Sequence, residues 1–121
     1  MFNNKDKPKG IKRIYLASLN SFRAFKWLYQ HESAFKQELL LLCLSVPISF
    51  LFDISSTEQL ILVLAIVFII FTEVLNTAIE AVVDRVGLEI HPLSGLAKDL
   101  GSAAVLISMV IAMIIWLIIL F

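Results

Sequence analysis

The sequence is poor in the residues from which many common binding sites are built. Its single cysteine, Cys43, excludes a disulfide within the chain and a cysteine-based zinc site. The four glycines fit neither GxxxxGK[ST] nor GxGxxG, which excludes a P-loop and a Rossmann turn. Any nucleotide site in this chain must therefore be of another kind.

Charged residues are scarce as well, which indicates a membrane protein. Of 121 residues, 60% are hydrophobic and 17% are charged, whereas soluble domains average roughly 45 to 50% apolar and about 25% charged residues. Residues 102–121 contain no charge, and about 20 such residues suffice for a helix to cross the hydrocarbon core. Residues 1–38 lack the apolar segment of a cleavable secretory signal, so we expect the first span to be retained.

We predict an all-α membrane protein with a single domain, residues 1–121. Its three membrane-spanning helices are placed at 33–52, 58–86 and 96–121. Pro47 predicts a kink in the first span. Residues 1–31 interleave basic and aromatic side chains, which is typical of an amphipathic helix in the headgroup layer; a plain anchor on anionic lipid is the alternative. Such a mixture also suits nucleic acid, but the membrane spans argue against that partner.

The basic residues are distributed unevenly along the chain. Of the ten lysines and arginines, eight lie at positions 5–36, before the uncharged stretch of the first span that begins at Leu39, and the other two, Arg85 and Lys98, flank the connection between the second and third spans. The link at 53–58 has none. By the positive-inside rule, the N-terminus and the 85–98 connection are cytoplasmic, and the C-terminus lies outside.

Four polar residues interrupt the second predicted span. At ~100° per residue they share one narrow helix face: Glu73, Asn76, Glu80 and Asp84. Polar residues within a membrane face other helices or a wet cavity, so this stripe indicates a functional site. A structural stripe held by hydrogen bonds between helices is the alternative, and Asp84 taken alone can simply pair with the adjacent Arg85.

Other polar residues reach the same interface from neighbouring segments. They lie before the uncharged stretch of the first span, which begins at Leu39, or follow the second span: Glu32, Gln37, Glu38, Glu89, His91, Lys98 and Asp99. Carboxylates such as Glu32 and Glu80 suit Mg²⁺ with bound phosphate, and Lys98 suits the phosphate itself. The residues alone thus predict an acidic, metal-binding site at the cytoplasmic interface. A small proton-coupled transporter is the alternative from another class.

Two segments, EVLNTAIEAVVDR (73–85) and HPLSGLAKDLGSAAVLIS (91–108), resemble the signature of the prokaryotic integral-membrane diacylglycerol kinases. The resemblance implies phosphorylation of diacylglycerol to phosphatidic acid by ATP with Mg²⁺, serving lipid recycling and phospholipid synthesis. It also implies a homotrimer with sites between subunits, embedded as a multi-pass protein in the bacterial inner membrane. Relatives in this superfamily phosphorylate undecaprenol, which stays open as the alternative lipid.

The resemblance further implies roles for individual residues. Glu73 would be the catalytic base, and Glu32 and Glu80 would be the metal ligands. The nucleotide-binding residues would be Arg13, Asn76, Glu89, Ile90, His91, Lys98 and Asp99. The lipid-binding residues would be Ala17, Ser18, Ser21, Phe22, Lys26, Phe35, Gln37, Glu38 and Ser102. Ala24 departs from the family, which commonly has glycine there, and this concerns only the shape of the surface helix.

An oligomer is also expected because three spans and one surface helix can hardly enclose an acidic stripe. Small residues give the third span a face for close packing: Gly101, Ala104, Ser108 and Ala112.

Overall fold

The structure is a computed structural model that describes residues 8–121. Its four helices are α1 (Ile11–His31), α2 (Ser33–Ser49), α3 (Ser56–Val86) and α4 (Pro92–Leu120). No strand occurs among the described residues, so the predicted all-α class is confirmed. The chain divides into two compact units, one ending at Lys36 and the other running from Gln37 to Phe121.

Helix α1 forms most of the predicted surface segment, 1–31; residues 1–7 lie outside the described range. It begins after Gly10, whose φ of 67° lies in the left-handed region that glycine adopts without strain. It ends where Glu32 becomes extended and donates its amide to the Leu28 carbonyl at 2.8 Å. Large apolar side chains such as Phe22 are exposed, as suits a helix with an apolar side facing lipid.

Helix α2 ends at Ser49, earlier than the predicted limit of 52. Pro47 stands in its last turn, and the Phe50 amide donates to the Pro47 carbonyl at 3.2 Å in a tighter turn. Proline cannot continue the α-helical hydrogen bonds, so it lies at the helix end. The 17 residues of α2 extend about 26 Å, less than the ~30 Å hydrocarbon core. A membrane crossing by α2 stays a prediction.

Helix α3 begins at Ser56, two residues before the predicted start. Ser55 and Glu58 form a capping box, in which each side chain accepts a hydrogen bond at 3.1 Å from the other's amide. The helix ends at Val86, the residue at which the second span is predicted to end, and the amide of Gly87 donates to the Val83 carbonyl there at 3.2 Å.

Helix α4 begins at Pro92, four residues before the predicted start of the third span at 96. The Nδ1 atom of His91 accepts a hydrogen bond from the amide of Leu93 at 3.1 Å, and proline is well suited to the first helical position. The helix therefore extends beyond the apolar segment and includes the charged Lys98 and Asp99.

Helices α3 and α4 pack along each other and form the core of the second unit. Ala65, Ile66 and Ile69 of α3 pack with Ala112 of α4, and Leu42 of α2 joins the cluster. Within this core, polar contacts also join α3 to α4. The hydroxyls of Thr72 and Ser108 lie 2.9 Å apart, and Trp116 Nε1 donates to the Leu62 carbonyl at 3.1 Å.

The small-residue face predicted for α4 packs against α3 of the same chain. Gly101, Ser108 and Ala112 are buried, whereas Ala104 is exposed and Val105 is buried instead. Val105 lies four residues after Gly101 and three before Ser108, so it falls on the same helix face.

Helices α3 and α4 are long and apolar enough to cross a membrane, with mean hydropathies of 2.5 and 3.0 over their most apolar windows. Many large apolar side chains on the second unit are exposed, including Leu106, Ile107 and Ile118 of α4. Contiguous exposed apolar surface is unfavourable in water and indicates contact with lipid or another chain. Both observations support a membrane protein.

Candidate active site at the polar ends of α3 and α4

The polar stripe of α3 passes from buried to exposed surroundings. Glu73 and Asn76 are buried, with 7% and 8% of their surfaces exposed, Glu80 is half-buried, and Asp84 is exposed. The shared face predicted from the spacing is therefore buried at its inner end. Thr77 is buried beside this stripe, whereas Thr72 is buried against α4, where its hydroxyl lies 2.9 Å from that of Ser108.

Asn76 of the polar stripe packs closely against Gly101 of α4, and this contact locates the stripe relative to the apolar part of α4. A Cβ atom at Gly101 would overlap Asn76 Oδ1, so this approach requires glycine. The uncharged stretch of α4 begins at residue 102, which places Asn76 near the edge of the apolar zone. At ~1.5 Å per residue, Glu73 lies about 4.5 Å deeper and Glu80 about 6 Å further out.

Asn76 offers an acceptor atom for a ligand. Its Nδ2 atom donates to Glu80 Oε1 at 3.4 Å, while its Oδ1 atom has no hydrogen-bond partner among residues 8–121. A buried amide oxygen without a partner is costly. A bound cation or hydrogen-bond donor would satisfy it.

Glu73 is accompanied by a second buried carboxyl, that of Glu38 on α2. Glu38 is 5% exposed, and its charge and that of Glu73 repel each other. Glu38 also lines a mostly apolar cavity of about 410 Å³ between α2, α3 and α4, together with Ile66 and Trp116. The structure thus brings Glu38, assigned above to lipid binding, towards the proposed base.

A second cavity, of about 280 Å³, lies where α3 ends and α4 begins. Four residues assigned above to nucleotide line it, namely Glu89, Ile90, His91 and Lys98. Asp99 does not line it and is exposed on α4. The capping bond engages Nδ1 of His91, which leaves Nε2 as the ring nitrogen for a ligand.

Lys98 pairs with Asp84 across the two helices at 2.8 Å. The simpler expectation that Asp84 pairs with Arg85 is therefore wrong. Residues 84 and 85 are adjacent on one helix and point about 100° apart, whereas Lys98 projects from the facing helix. In this arrangement a phosphate at Lys98 must compete with the Asp84 carboxylate.

In the first unit, a groove of about 550 Å³ follows one face of α1. It includes Arg13 and the four lipid-assigned residues Ala17, Ser18, Ser21 and Phe22, but not Lys26. The two serine hydroxyls donate to carbonyls of their own helix, Ser18 at 2.8 Å and Ser21 at 2.9 Å. Because both hydroxyls are engaged in these bonds, the two serines present mainly hydrocarbon to a ligand in the groove.

The remaining assigned residues are divided between the units. In the first unit, Phe35 is buried and stacks on Phe25 with ring centroids 6.3 Å apart, and Glu32 is the half-buried C-cap of α1. In the second unit, Gln37 and Ser102 are exposed. No group of three or more His, Cys, Asp or Glu side chains able to hold a metal occurs among residues 8–121. Joint metal binding by Glu32 and Glu80 stays a prediction.

Comparison with known proteins decides the family. Residues 19–120 match the family described as prokaryotic diacylglycerol kinase. The chain is 42% identical over 111 residues to diacylglycerol kinase of Escherichia coli K12, covering 92% of this chain and 91% of the relative. The chain belongs to the prokaryotic diacylglycerol kinase family. It is 41% identical over 107 residues to the Pseudomonas aeruginosa enzyme and 36% over 110 residues to that of Haemophilus influenzae, covering 88% and 91% of this chain and 87% and 93% of the relatives.

Membership of the diacylglycerol kinase family confirms the resemblance drawn from the motifs and makes this chain a lipid kinase. The matched region, 19–120, includes the whole polar stripe of α3 and the 87–91 connection. The alternative of a small proton-coupled transporter does not explain why these residues match a family of lipid kinases.

Sequence reasoning missed three features of the diacylglycerol kinase site. It overlooked Thr77, although Thr77 falls about 40° from Glu73 on the helix wheel and thus at the edge of the stripe. It recognised Gly101 as small but not as the residue against which Asn76 packs. It also missed the ion pair between Asp84 and Lys98. Pairs between α3 and α4 depend on the relative alignment of the two helices, which the pattern of a single segment does not determine.

Proposed function

We propose that this chain transfers the γ-phosphoryl group of MgATP to the free hydroxyl of diacylglycerol at the polar ends of α3 and α4. The observation that supports this most directly is the burial of Glu73 at the inner end of a polar stripe whose outer end borders the 280 Å³ cavity. The inner end of the stripe thus lies in apolar surroundings that suit a lipid, and its outer end lies in polar surroundings that suit a nucleotide.

Glu73 is the proposed general base. It accepts the proton of the lipid hydroxyl while the hydroxyl oxygen forms a bond to the γ-phosphorus and the bond from that phosphorus to ADP breaks. The proton later passes from Glu73 to water, and phosphatidic acid and ADP leave. Phosphoryl transfer requires mainly positioning and charge neutralisation, so a small site of this kind is sufficient.

Mg²⁺ fits the oxygen atoms at the middle of the stripe. Glu80 supplies a half-buried carboxylate, and Asn76 supplies a buried oxygen without a hydrogen-bond partner among residues 8–121. Glu32 is the proposed second carboxylate. Magnesium commonly binds one or two carboxylates together with substrate phosphates and waters. When bound, it would neutralise phosphate charge.

Nucleotide is proposed to bind at the cavity between the end of α3 and the start of α4. Glu89, Ile90 and His91 line that cavity and provide one wall. Lys98 would exchange Asp84 for a phosphate oxygen, which is feasible because both side chains are about half exposed. Asp99 and Arg13 complete the proposed set.

Diacylglycerol is proposed to approach from the apolar side. The 410 Å³ cavity suits hydrocarbon because all its lining residues except Glu38 and Ser45 are apolar. Glu38, Gln37 and Ser102 would bind the polar part of the lipid. The remaining proposed lipid contacts come from the first unit and are Ala17, Ser18, Ser21, Phe22, Lys26 and Phe35.

The proposed assembly is a homotrimer with its sites between subunits, and residues 1–121 act as one kinase domain. The exposed apolar faces of α2, α3 and α4 provide surface for lipid and for neighbouring subunits. We propose that α2 also crosses the membrane as the first of three spans, that the membrane is the bacterial inner membrane, and that the N-terminus is cytoplasmic.

The direct test is lipid-dependent ATP consumption by the purified chain in mixed micelles. Diacylglycerol and undecaprenol are supplied in parallel, and each phosphorylated lipid is identified by mass. We expect turnover with diacylglycerol that requires Mg²⁺. Turnover confined to undecaprenol would overturn the proposed substrate, and ATP consumption unaffected by added lipid would overturn the proposed reaction.

A further inference from the structure

Five hydroxyl side chains are buried among residues 8–121, and Thr77 differs from the others. In Ser45, Ser49, Thr72 and Ser108 the hydroxyl lies 2.6 to 2.9 Å from the carbonyl oxygen three residues earlier in its own helix. This bond is the usual way for a helix to satisfy a buried hydroxyl. Thr77 Oγ1 has no hydrogen-bond partner among residues 8–121, although the residue is only 8% exposed.

The position of Thr77 on α3 connects it to the proposed reaction. It follows Glu73 by four residues and precedes Glu80 by three, which corresponds to axial separations of about 6 Å and about 4.5 Å. On the helix wheel it falls about 40° from Glu73 and about 60° from Glu80. Along the helix axis, Thr77 therefore lies between the proposed base and the proposed metal ligand, and around the axis it lies beside both.

We propose that Thr77 is a further catalytic residue, whose hydroxyl donates a hydrogen bond to an oxygen of the phosphoryl group during its transfer. The inference rests on the proposed roles of Glu73 and Glu80, because the phosphoryl group passes between the lipid hydroxyl and the metal-bound nucleotide. Hydrogen-bond donors directed at developing charge stabilise a transition state more than the ground state. A buried hydroxyl without a partner inside its own helix is free to act in this way.

The test replaces Thr77 by valine, which keeps the shape and removes the donor. We expect kcat to fall roughly 10- to 100-fold, while KM for MgATP and for diacylglycerol changes less than about threefold. Thr77→Ser should retain most of kcat. The melting temperature of Thr77→Val should not fall, because a methyl group replaces a buried hydroxyl that has no hydrogen-bond partner among residues 8–121.

Thr72→Val is the matched control. It removes a buried threonine hydroxyl from the same helix, but that hydroxyl bonds to Ser108 and the Ile69 carbonyl. We expect a lower melting temperature and nearly unchanged kcat per folded enzyme. If Thr77→Val folds poorly, the comparison of Thr77→Ser with Thr77→Ala isolates the hydroxyl, because both lack the methyl group.

Three outcomes would overturn the proposal. They are wild-type kcat in Thr77→Val, equal kcat in Thr77→Ser and Thr77→Ala, and a lower kcat in Thr77→Val that is accounted for by loss of the trimer, which would make Thr77 a contact between subunits. Glu73→Gln and Glu80→Gln are assayed alongside. If these variants keep wild-type kinetics, the proposed site has failed independently of Thr77.

Discussion

Replacing Gly101 by alanine tests the geometry of the site through one methyl group. The added Cβ would overlap Asn76 Oδ1, so the Asn76 side chain must move, and its bond to Glu80 at 3.4 Å must stretch or break. Overpacking of this kind costs about 1 to 3 kcal/mol, and the lost hydrogen bond about 1 kcal/mol. The higher helix propensity of alanine offsets about 1 kcal/mol. We expect a net loss of about 1 to 3 kcal/mol in the free energy of unfolding.

The same substitution should impair nucleotide use, because Asn76 and Glu80 are the proposed neighbours of the metal. We expect the Mg²⁺ concentration for half-maximal activity to rise at least severalfold. Gly95→Ala is the stability control, since a Cβ there would meet no atom of the described part of the chain within 4 Å, and it should be neutral or stabilising.

A denaturant titration in detergent measures both variants, and a double-mutant cycle with Asn76→Ala tests the cause. If the clash is real, Gly101→Ala should cost much less stability in the Asn76→Ala background. An equal cost in both backgrounds, or unchanged stability and Mg²⁺ dependence in Gly101→Ala, would refute the reasoning.

Three further predictions concern the metal site, the packing of α3 against α4 and the membrane topology. Glu80→Gln should weaken Mg²⁺ and MgATP binding together, measured by calorimetry, and unchanged affinity for both would remove Glu80 from the metal site. Trp116→Phe should lower the free energy of unfolding by about 1 kcal/mol through loss of the bond to the Leu62 carbonyl, measured by denaturant titration, whereas wild-type stability would make that bond dispensable. In a background lacking the native cysteine, Ser56→Cys should react with an impermeant thiol reagent on intact cells and Lys7→Cys should not; the reverse pattern would invert the topology.

The helices of this fold follow from its sequence more readily than the contacts between them. The spacing of Glu73, Asn76 and Glu80 is sufficient to predict one polar face, and the structure buries its inner end. Hydropathy alone set the start of α4 too late, because the His91 cap begins the helix before its apolar part.

Contacts across helices depend on alignment, which local patterns do not determine. Asp84 binds Lys98 and not Arg85, and Val105 is buried where Ala104 was expected. Each depends on how far α3 is shifted along α4. Within residues 8–121, Thr77 Oγ1 has no hydrogen-bond partner, and this too is a property of the packed fold, because serine and threonine in helices usually bond to their own backbone.

The central claim is that Glu73 removes the proton from the lipid hydroxyl, and Glu73→Gln tests it most directly. The substitution keeps the size of a buried side chain and removes its basicity. We predict that kcat at saturating diacylglycerol and MgATP falls roughly 10²- to 10⁴-fold, while the affinity for MgATP stays near the wild-type value. A kcat close to that of the wild type would contradict the assignment and return the polar stripe to a structural role.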